Sequence, residues 1–293
     1  MPRIADKNLN GLAFLFRTAE EAKARAQLGG SAFFIGRTIP GSDGQPKGRS
    51  YVPYLISNRH VVWNAGACVV SLNRRDGNAP DVVDIDQAEW QVHPGNADLA
   101  AVCMLGRFDM ATHRVAFLRD HTFLTKEFMQ SADVGVGDEV FMIGRFINHQ
   151  GAVHNKPAVR FGSLSMMLEP LWNNALQRDE DSFAVEMRSR TGFSGSPVVV
   201  YRTVSTVLTD VPEDHRDFHR LLGVNWGYVL DENGENTWLN GVVPAWKIDE
   251  LLKVPELQRQ QDEAVAQFHE MMRRAGAQSA AVTEEQIRTS ADD

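Results

Sequence analysis

The chain has 293 residues, 43% of them hydrophobic, enough to bury one large core or two smaller ones. Its formal net charge is -8 at pH 7, its isoelectric point is near 5.6, and Lys and Arg form no cluster, so no nucleic-acid partner is expected. Arg3 and Lys7 precede only the short apolar run GLAFLF, which lacks the length and cleavage site of a secretory signal, and no apolar run approaches the ~18 to 20 residues that span a bilayer.

In chain order, TAEEAKARAQLGG predicts a short helix, with Thr18 and Glu21 as a capping box and Gly29 and Gly30 as the stop. Strands dominate after it. Runs rich in β-branched and aromatic residues occur at SAFFIGR, YVPYLIS, CVVSLN, LAAVCML, EVFMIGR, FAVEM, SPVVVYR, LLGVNWGYVL and NGVVPA. Turn-rich segments separate them: IPGSDGQPKGRS, NRRDGNAP, INHQGAVHNKP, NNALQRDED and LDENGENT. Many short strands without helical patterns between them predict an all-β barrel or sandwich. From Trp246 the pattern turns helical, with Ala264, Val265, Phe268, Met271, Met272 and Ala275 at helical spacing, and AGAQSAAVTEEQIRTSADD reads as a frayed tail.

Three short stretches carry the chemistry. A serine hydroxyl attacks a carbonyl only when an imidazole removes its proton, and the imidazole works best when a buried carboxylate fixes its tautomer. TGFSGSPVVV crowds Ser194 and Ser196 between glycines ahead of an apolar run, which reads either as a plain turn or as a seat for a reactive hydroxyl. Among nine histidines, His60 in YLISNRHVVWNAG sits where an apolar strand enters a turn, and its rival His93 precedes Pro94 and Gly95 in what reads as an exposed loop. Asp98 in GNADLAAVCML stands at the mouth of a strand, where alone it reads as a local turn cap.

Together LISNRHVV, ADLAAV and TGFSGSPVV resemble the histidine, aspartate and nucleophile blocks of the chymotrypsin-like (trypsin-like) serine proteases, in that family's chain order. LLGVNWGYV with LNGVVPAWKI resembles the strands walling the substrate pocket, and VGVGDEVFMIGRF the strand opening the second barrel, so the resemblance covers roughly residues 30 to 252. It implies an all-β fold of two six-stranded barrels with a short N-terminal helix and a C-terminal helix. Its expected divisions are an N-terminal strand and helix segment (1–29), a first barrel with His60 and Asp98 (30–120), a second barrel with Ser194 and the pocket (121–252), and a C-terminal helix with a flexible tail (253–293). An α/β-hydrolase elbow is excluded because it requires glycine where Ser196 stands.

The resemblance further implies a serine endopeptidase acting on a protein or peptide substrate, with Ser194 as nucleophile, His60 as base, Asp98 orienting it, and the amides of Gly192 and Ser194 as the oxyanion hole. Arg188, Thr191, Asn225, Trp226, Gly227 and Gly241 fall at substrate-binding positions, with Arg188 either flooring the pocket or turned outward to Glu186 or Asp181, and with the glycines leaving the pocket open. No cofactor or metal is expected, since Cys68 and Cys103 have no histidine at ligand spacing. Val61 stands where secreted members have a disulfide-bonded cysteine, and ACVV and AAVCM read as settings for free thiols, so a cytoplasmic location is expected. Phe193 replaces the aspartate that pairs with a newly cleaved N-terminal amine in secreted members, so that activation switch is not expected. The alternative is a catalytically weak protease-fold binding or scaffolding module whose C-terminal helix docks a regulatory protein partner.

Overall fold

The structure, a computed structural model, describes residues 3–41, 50–202 and 218–289, with side chains as far as residue 275. Most of the expected turn IPGSDGQPKGRS and residues 290–293 of the expected tail lie outside the described residues. A one-turn helix, α1 (Asp6–Leu9), leads into β1 (Leu12–Phe16), and α2 (Ala19–Ala24) follows. The first sheet contains β1, β2 (Gly30–Thr38), β3 (Tyr51–Ser57), β4 (Val69–Leu72), β5 (Asp81–Asp84), β6 (Gln91–Val92), β7 (Ala100–Cys103) and β8 (Leu118–Arg119). Its strand order is β5-β4-β1-β2-β3-β7-β6, with β8 beside β2, and strand pairing does not close it. It is thus a curled sheet of eight strands, where six in a closed barrel were expected, and it takes in β1 from the segment assigned to residues 1–29.

After α3 (Lys126–Ser131) come β9 (Glu139–Gly144), β10 (Ala158–Asn173), β11 (Arg178–Glu186), β12 (Ser196–Arg202), β13 (Phe218–Leu230) and β14 (Asn236–Pro244). These six close into a barrel in the order β10-β11-β14-β13-β12-β9. α4 (Ala245–Leu251) and α5 (Pro255–Thr289) end the described chain.

Period-two patterning explains the two layers of core. On β1, Ala13 and Leu15 face the inside of the first sheet with Phe34, Leu55 and Val70, while Leu12, Phe14 and Phe16 face the other way. That second face joins Ile143, Val199, Tyr201 and Val243 of the second barrel and Leu251 and Leu257 of the helices, so the two domains share a core. The second barrel is filled by Val140, Met142, Phe183, Val185, Val198, Leu222 and Phe193. Each such side chain contributes about 1.5–3 kcal/mol of burial.

Two helices differ from expectation. Thr18 caps α2 by accepting the Glu21 N–H at 3.1 Å, but the Glu21 carboxylate turns back to the Arg17 guanidinium, and α2 stops at Arg25 in the left-handed region (φ 54°) rather than at Gly29. The cause is tertiary: the Arg25 side chain leaves the helix to donate to the carbonyls of Gln150, Gly151 and His154. α5 continues through Thr289 instead of fraying, since its Ala, Gln, Glu and Arg outweigh the cost of Gly276. Its first turns lie on the first sheet, where the Tyr54 hydroxyl donates to the Leu257 carbonyl and Gln261 Oε1 at 3.2 and 3.1 Å.

Candidate active site

β3 ends at Ser57, and the chain then turns through Asn58 into a single wide helical turn, His60–Asn64. Asp98, two residues before β7, is fully buried and reaches back across this turn. Its Oδ2 lies 2.7 Å from His60 Nδ1, and its Oδ1 accepts the His60 backbone N–H at 3.0 Å. The Asn58 amide donates to the Asp98 carbonyl at 2.8 Å, which ties the two loops together. Burial alone would raise the Asp98 pKa, but the His60 charge and the hydrogen bonds from His60 and Asn173 bring it below the usual aspartate value. Asp98 is therefore a carboxylate that fixes the imidazole with Nδ1–H toward it and Nε2 outward.

His93, the rival histidine, is buried rather than in an exposed loop. Its Nε2 lies 3.0 Å from Glu250 Oε2 on α4, and its Nδ1 accepts the N–H groups of Gly95 and Ala97. This is a structural histidine that holds the loop ahead of Asp98.

The nucleophile turn belongs to the second barrel and is braced by the first sheet. The Ser31 N–H donates to the Ser194 carbonyl at 2.8 Å, and the Ser31 hydroxyl donates to the Gly192 carbonyl at 2.8 Å. A Cβ on Gly30 would sit 3.1 Å from the Ser194 carbonyl and 2.8 Å from the Val61 side chain, so Ser194 and the residue following His60 flank one backbone position. Gly192 has φ +100°, and a Cβ there would approach Ile147 Cγ1 to 2.5 Å and the Arg145 carbonyl to 2.7 Å, so only glycine fits.

The turn's amides divide into two sets. Phe193 N–H donates to the Arg190 carbonyl, Gly195 N–H to the Asn225 carbonyl and Ser196 N–H to the Phe193 carbonyl. Those of Gly192 and Ser194 donate to no acceptor among the described residues. The Asn225 amide also donates to the Phe193 carbonyl at 2.9 Å, which turns the opposite end of that peptide, the Ser194 N–H, away from the barrel. Ser194 is half-buried, and its hydroxyl donates to the Trp226 carbonyl at 3.0 Å and makes no hydrogen bond with His60. Ser196 is fully buried, with its hydroxyl pressed against Gly144 and unpaired.

Around the expected substrate pocket, Arg188 and Thr191 are exposed, and Arg188 pairs with neither Glu186 nor Asp181; the Asp181 carboxylate instead lies 3.6 Å from Lys247. The residue after it, Ser189, is the buried one and donates to Asn240 Oδ1. Gly227 is open on the side a Cβ would occupy, but Gly241 is not, because the Trp226 indole lies within 2.0–2.3 Å of that position. The indole is buried, with its N–H donating to Ser182 Oγ at 2.8 Å, so the space beside Gly241 is filled rather than open.

Two residues absent from the sequence reading stand directly on Asp98. Asn173, at the end of β10, donates to Asp98 Oδ2 at 3.0 Å, and the buried Glu180 on β11 accepts the Asp98 N–H at 3.1 Å. Burial raises the Glu180 pKa to about 7, against the opposing pull of Lys247 at 3.7 Å and Arg178 at 3.5 Å. The double Asn in WNNALQ was a visible turn signal, but nothing local indicates that its first member faces Asp98. Among the described residues no three His, Cys, Asp or Glu side chains gather at a metal-sized position.

A curled β-sheet carrying the histidine and aspartate, joined to a closed six-stranded barrel carrying the serine turn, is the chymotrypsin-like protease fold. No family model matches the chain, and no curated protein does. Among solved structures it is similar to the MamO protease domain of Magnetospirillum magneticum, with 17% identity over 86% of this chain and 100% of that one and a TM-score of 0.48. It is also similar to the HtrA-type protease AlgW with a tripeptide, with 17% identity over 84% of this chain and 60% of that one and a TM-score of 0.46.

Proposed function

We propose that the chain is a serine endopeptidase in which Ser194 attacks the peptide carbonyl, His60 takes its proton and returns it to the leaving amine, and Asp98 holds and stabilises the imidazolium. The observation that carries this reading is the pair of uncommitted amides at Gly192 and Ser194 in a turn where the N–H groups of Phe193, Gly195 and Ser196 are all bonded. Two such donors meet the charge that develops on the carbonyl oxygen, and each is worth roughly 10²–10³ in turnover. In this reading the Ser194 hydroxyl exchanges the Trp226 carbonyl for His60 Nε2 when it reacts. The substrate is a protein or peptide, and no cofactor or metal enters the chemistry. A reducing, cytoplasmic setting agrees with two free thiols at Cys68 and Cys103.

The hydrogen bond from Ser194 to Trp226 favours a second reading, a non-catalytic binding module that keeps the fold. Labelling with a fluorophosphonate probe separates the two. The protease reading expects labelling of the wild-type chain and of Ser196→Ala, and none of Ser194→Ala. Turnover of Ser194→Ala and His60→Ala falls by a similar factor of up to ~10⁶. A wild-type chain that resists the probe, or a labelled Ser194→Ala protein, refutes it.

A further inference from the structure

Beside the nucleophile turn lies a cavity of about 610 Å³ between α2 and the segment that follows β9. Lys23, Arg25, His149 and Lys156 line it, together with Gln27, Asn148 and Gln150, and no carboxylate does. In a chain of net charge -8 this is a local surplus of cations. The nearest acids on α2 are Glu20 and Glu21, and Glu21 is committed to Arg17. Arg25 donates only to neutral acceptors, the carbonyls of Gln150, Gly151 and His154 and Asn155 Oδ1.

Beneath the cavity floor sits a further cation, Arg145, which is fully buried. Its guanidinium donates to the carbonyls of Leu15, Leu28 and Ala26 and to Gln150 Oε1, and it stacks on Phe16 at 4.0 Å. No carboxylate hydrogen-bonds to it among the described residues. Burial, and after it the Arg25 charge, pull its pKa below the usual guanidinium value against a smaller opposing effect of the Glu21 charge, so further negative charge brought into the cavity relieves an existing strain. The exposed Lys23 and Lys156 ammonium groups are compact cations in a lining without a carboxylate, which suits a small anion of high charge density better than an apolar ligand.

The same residues touch the oxyanion turn. Ile147 of the cavity wall packs under Gly192, the Arg145 N–H donates to Ser31 Oγ at 2.9 Å, and Ser31 holds the carbonyls of Gly192 and Ser194. Arg145 thus meets the turn twice, directly where its carbonyl lies beside Gly192 and through Ser31. We propose that this cavity binds a compact polyvalent oxyanion of the phosphate class, and that its occupancy steadies the Gly192 turn through Arg145 and Ser31. The coupling rests on the reading of Ser194 as the nucleophile, whereas the binding does not.

Tripolyphosphate is titrated calorimetrically into the full chain, its Ser194→Ala variant and the Lys23→Gln/Lys156→Gln double variant, with a hexaglutamate peptide as the competing source of negative charge. Saturable one-to-one binding of tripolyphosphate is expected to wild type and Ser194→Ala, weakened at least tenfold in the double variant and by added salt. The rate of Ser194 labelling by the fluorophosphonate probe is expected to rise several-fold at saturation in wild type and to stay flat in the double variant, whose basal rate is unchanged. Absence of saturable binding, equal binding to the double variant, or binding of the peptide alone overturns the site. Binding with an unchanged labelling rate overturns the coupling. A chain that binds tripolyphosphate and never labels refutes the nucleophile while the site stands.

Discussion

Asn173→Ala is expected to slow peptide turnover without touching the substrate. Asp98 has no exposed surface, and its carboxylate accepts three hydrogen bonds, two of them from His60 itself. Among the described residues Asn173 is thus the one donor to that carboxylate other than His60, which Asp98 orients in the proposed mechanism. A hydrogen bond to a buried charge is worth about 1.5–3 kcal/mol, which converts to roughly 10- to 150-fold in kcat/KM, carried by kcat with KM little changed. The alanine also frees a turn, since Asn173 Oδ1 accepts the N–H groups of Ala175 and Leu176. Asn173→Asp separates the two effects: it keeps an acceptor for the turn but sets a second carboxylate beside Asp98, so it is expected to be slower than the alanine at neutral pH and to recover as that carboxylate is protonated. The assay is steady-state cleavage of a fluorogenic peptide across pH. Wild-type kcat/KM in Asn173→Asp, or a loss below twofold in Asn173→Ala, refutes the reasoning.

Glu180 is expected to set a pH dependence of stability: with its folded pKa near 7 against an ordinary value of 4.5, its contribution is full below pH 4.5 and is lost as pH rises to 7, by about 3 kcal/mol. Denaturant unfolding over that window should show the decline in wild type and a flatter profile in Glu180→Gln, and an unchanged slope in the variant counts against it. Gly192→Ala should cost at least ~10²-fold in turnover, because its Cβ collides with Ile147 and the Arg145 carbonyl and displaces the proposed oxyanion donor; retention of a tenth of wild-type activity contradicts this. Burial raises the thiol pKa of Cys68 to about 11 and that of Cys103 in the same direction, so alkylation at neutral pH should be slow by mass spectrometry and dithiothreitol should leave the melting temperature unmoved. A reductant-dependent fall would expose an unrecognised disulfide.

What the sequence made legible is local in character. His60, Asp98 and Ser194 each stand where an apolar strand meets a turn, and the chemistry of each turn is written within a few residues of it. The strands with unbroken β-branched runs were visible for the same reason. β1 was expected only as an unplaced strand of the 1–29 segment that the resemblance implies, because LAFLF is buried on both faces and so lacks alternation. β10 was not, because Gly162, Pro170 and irregular pairing with β11 break a strand that extends beyond the barrel, and Asn173 was lost with it. Arg145 closes EVFMIGR with nothing local to mark it as buried, since its partners include carbonyls at residues 15, 26 and 28, which only the joining of the two domains brings near. The docking of α5 on Tyr54 is likewise a contact across about two hundred residues, and no periodicity within the helix selects the sheet it covers.

The same non-local contacts bear on how the serine turn is kept in shape without an ion pair at Phe193. The Phe193 ring is buried in the second barrel among Val140, Met142 and Val198, an anchor made by folding alone. Its carbonyl is held by Asn225 and the Ser196 N–H, the Gly192 carbonyl by the Ser31 hydroxyl, and the Ser194 carbonyl by the Ser31 N–H. Every one of these contacts is neutral and forms with the two domains, so none waits for a new N-terminal amine. The location of β1 points the same way. It pairs with both β2 and β4 in the middle of the first sheet, and its Leu15 carbonyl is one of the acceptors for Arg145. A cut just before Gly30 would sever β1 from the strand it pairs with and supply no charge that the turn lacks. Loss of the connection would loosen the Arg145 and Ser31 braces, so cleavage there is expected to lower turnover rather than to create it.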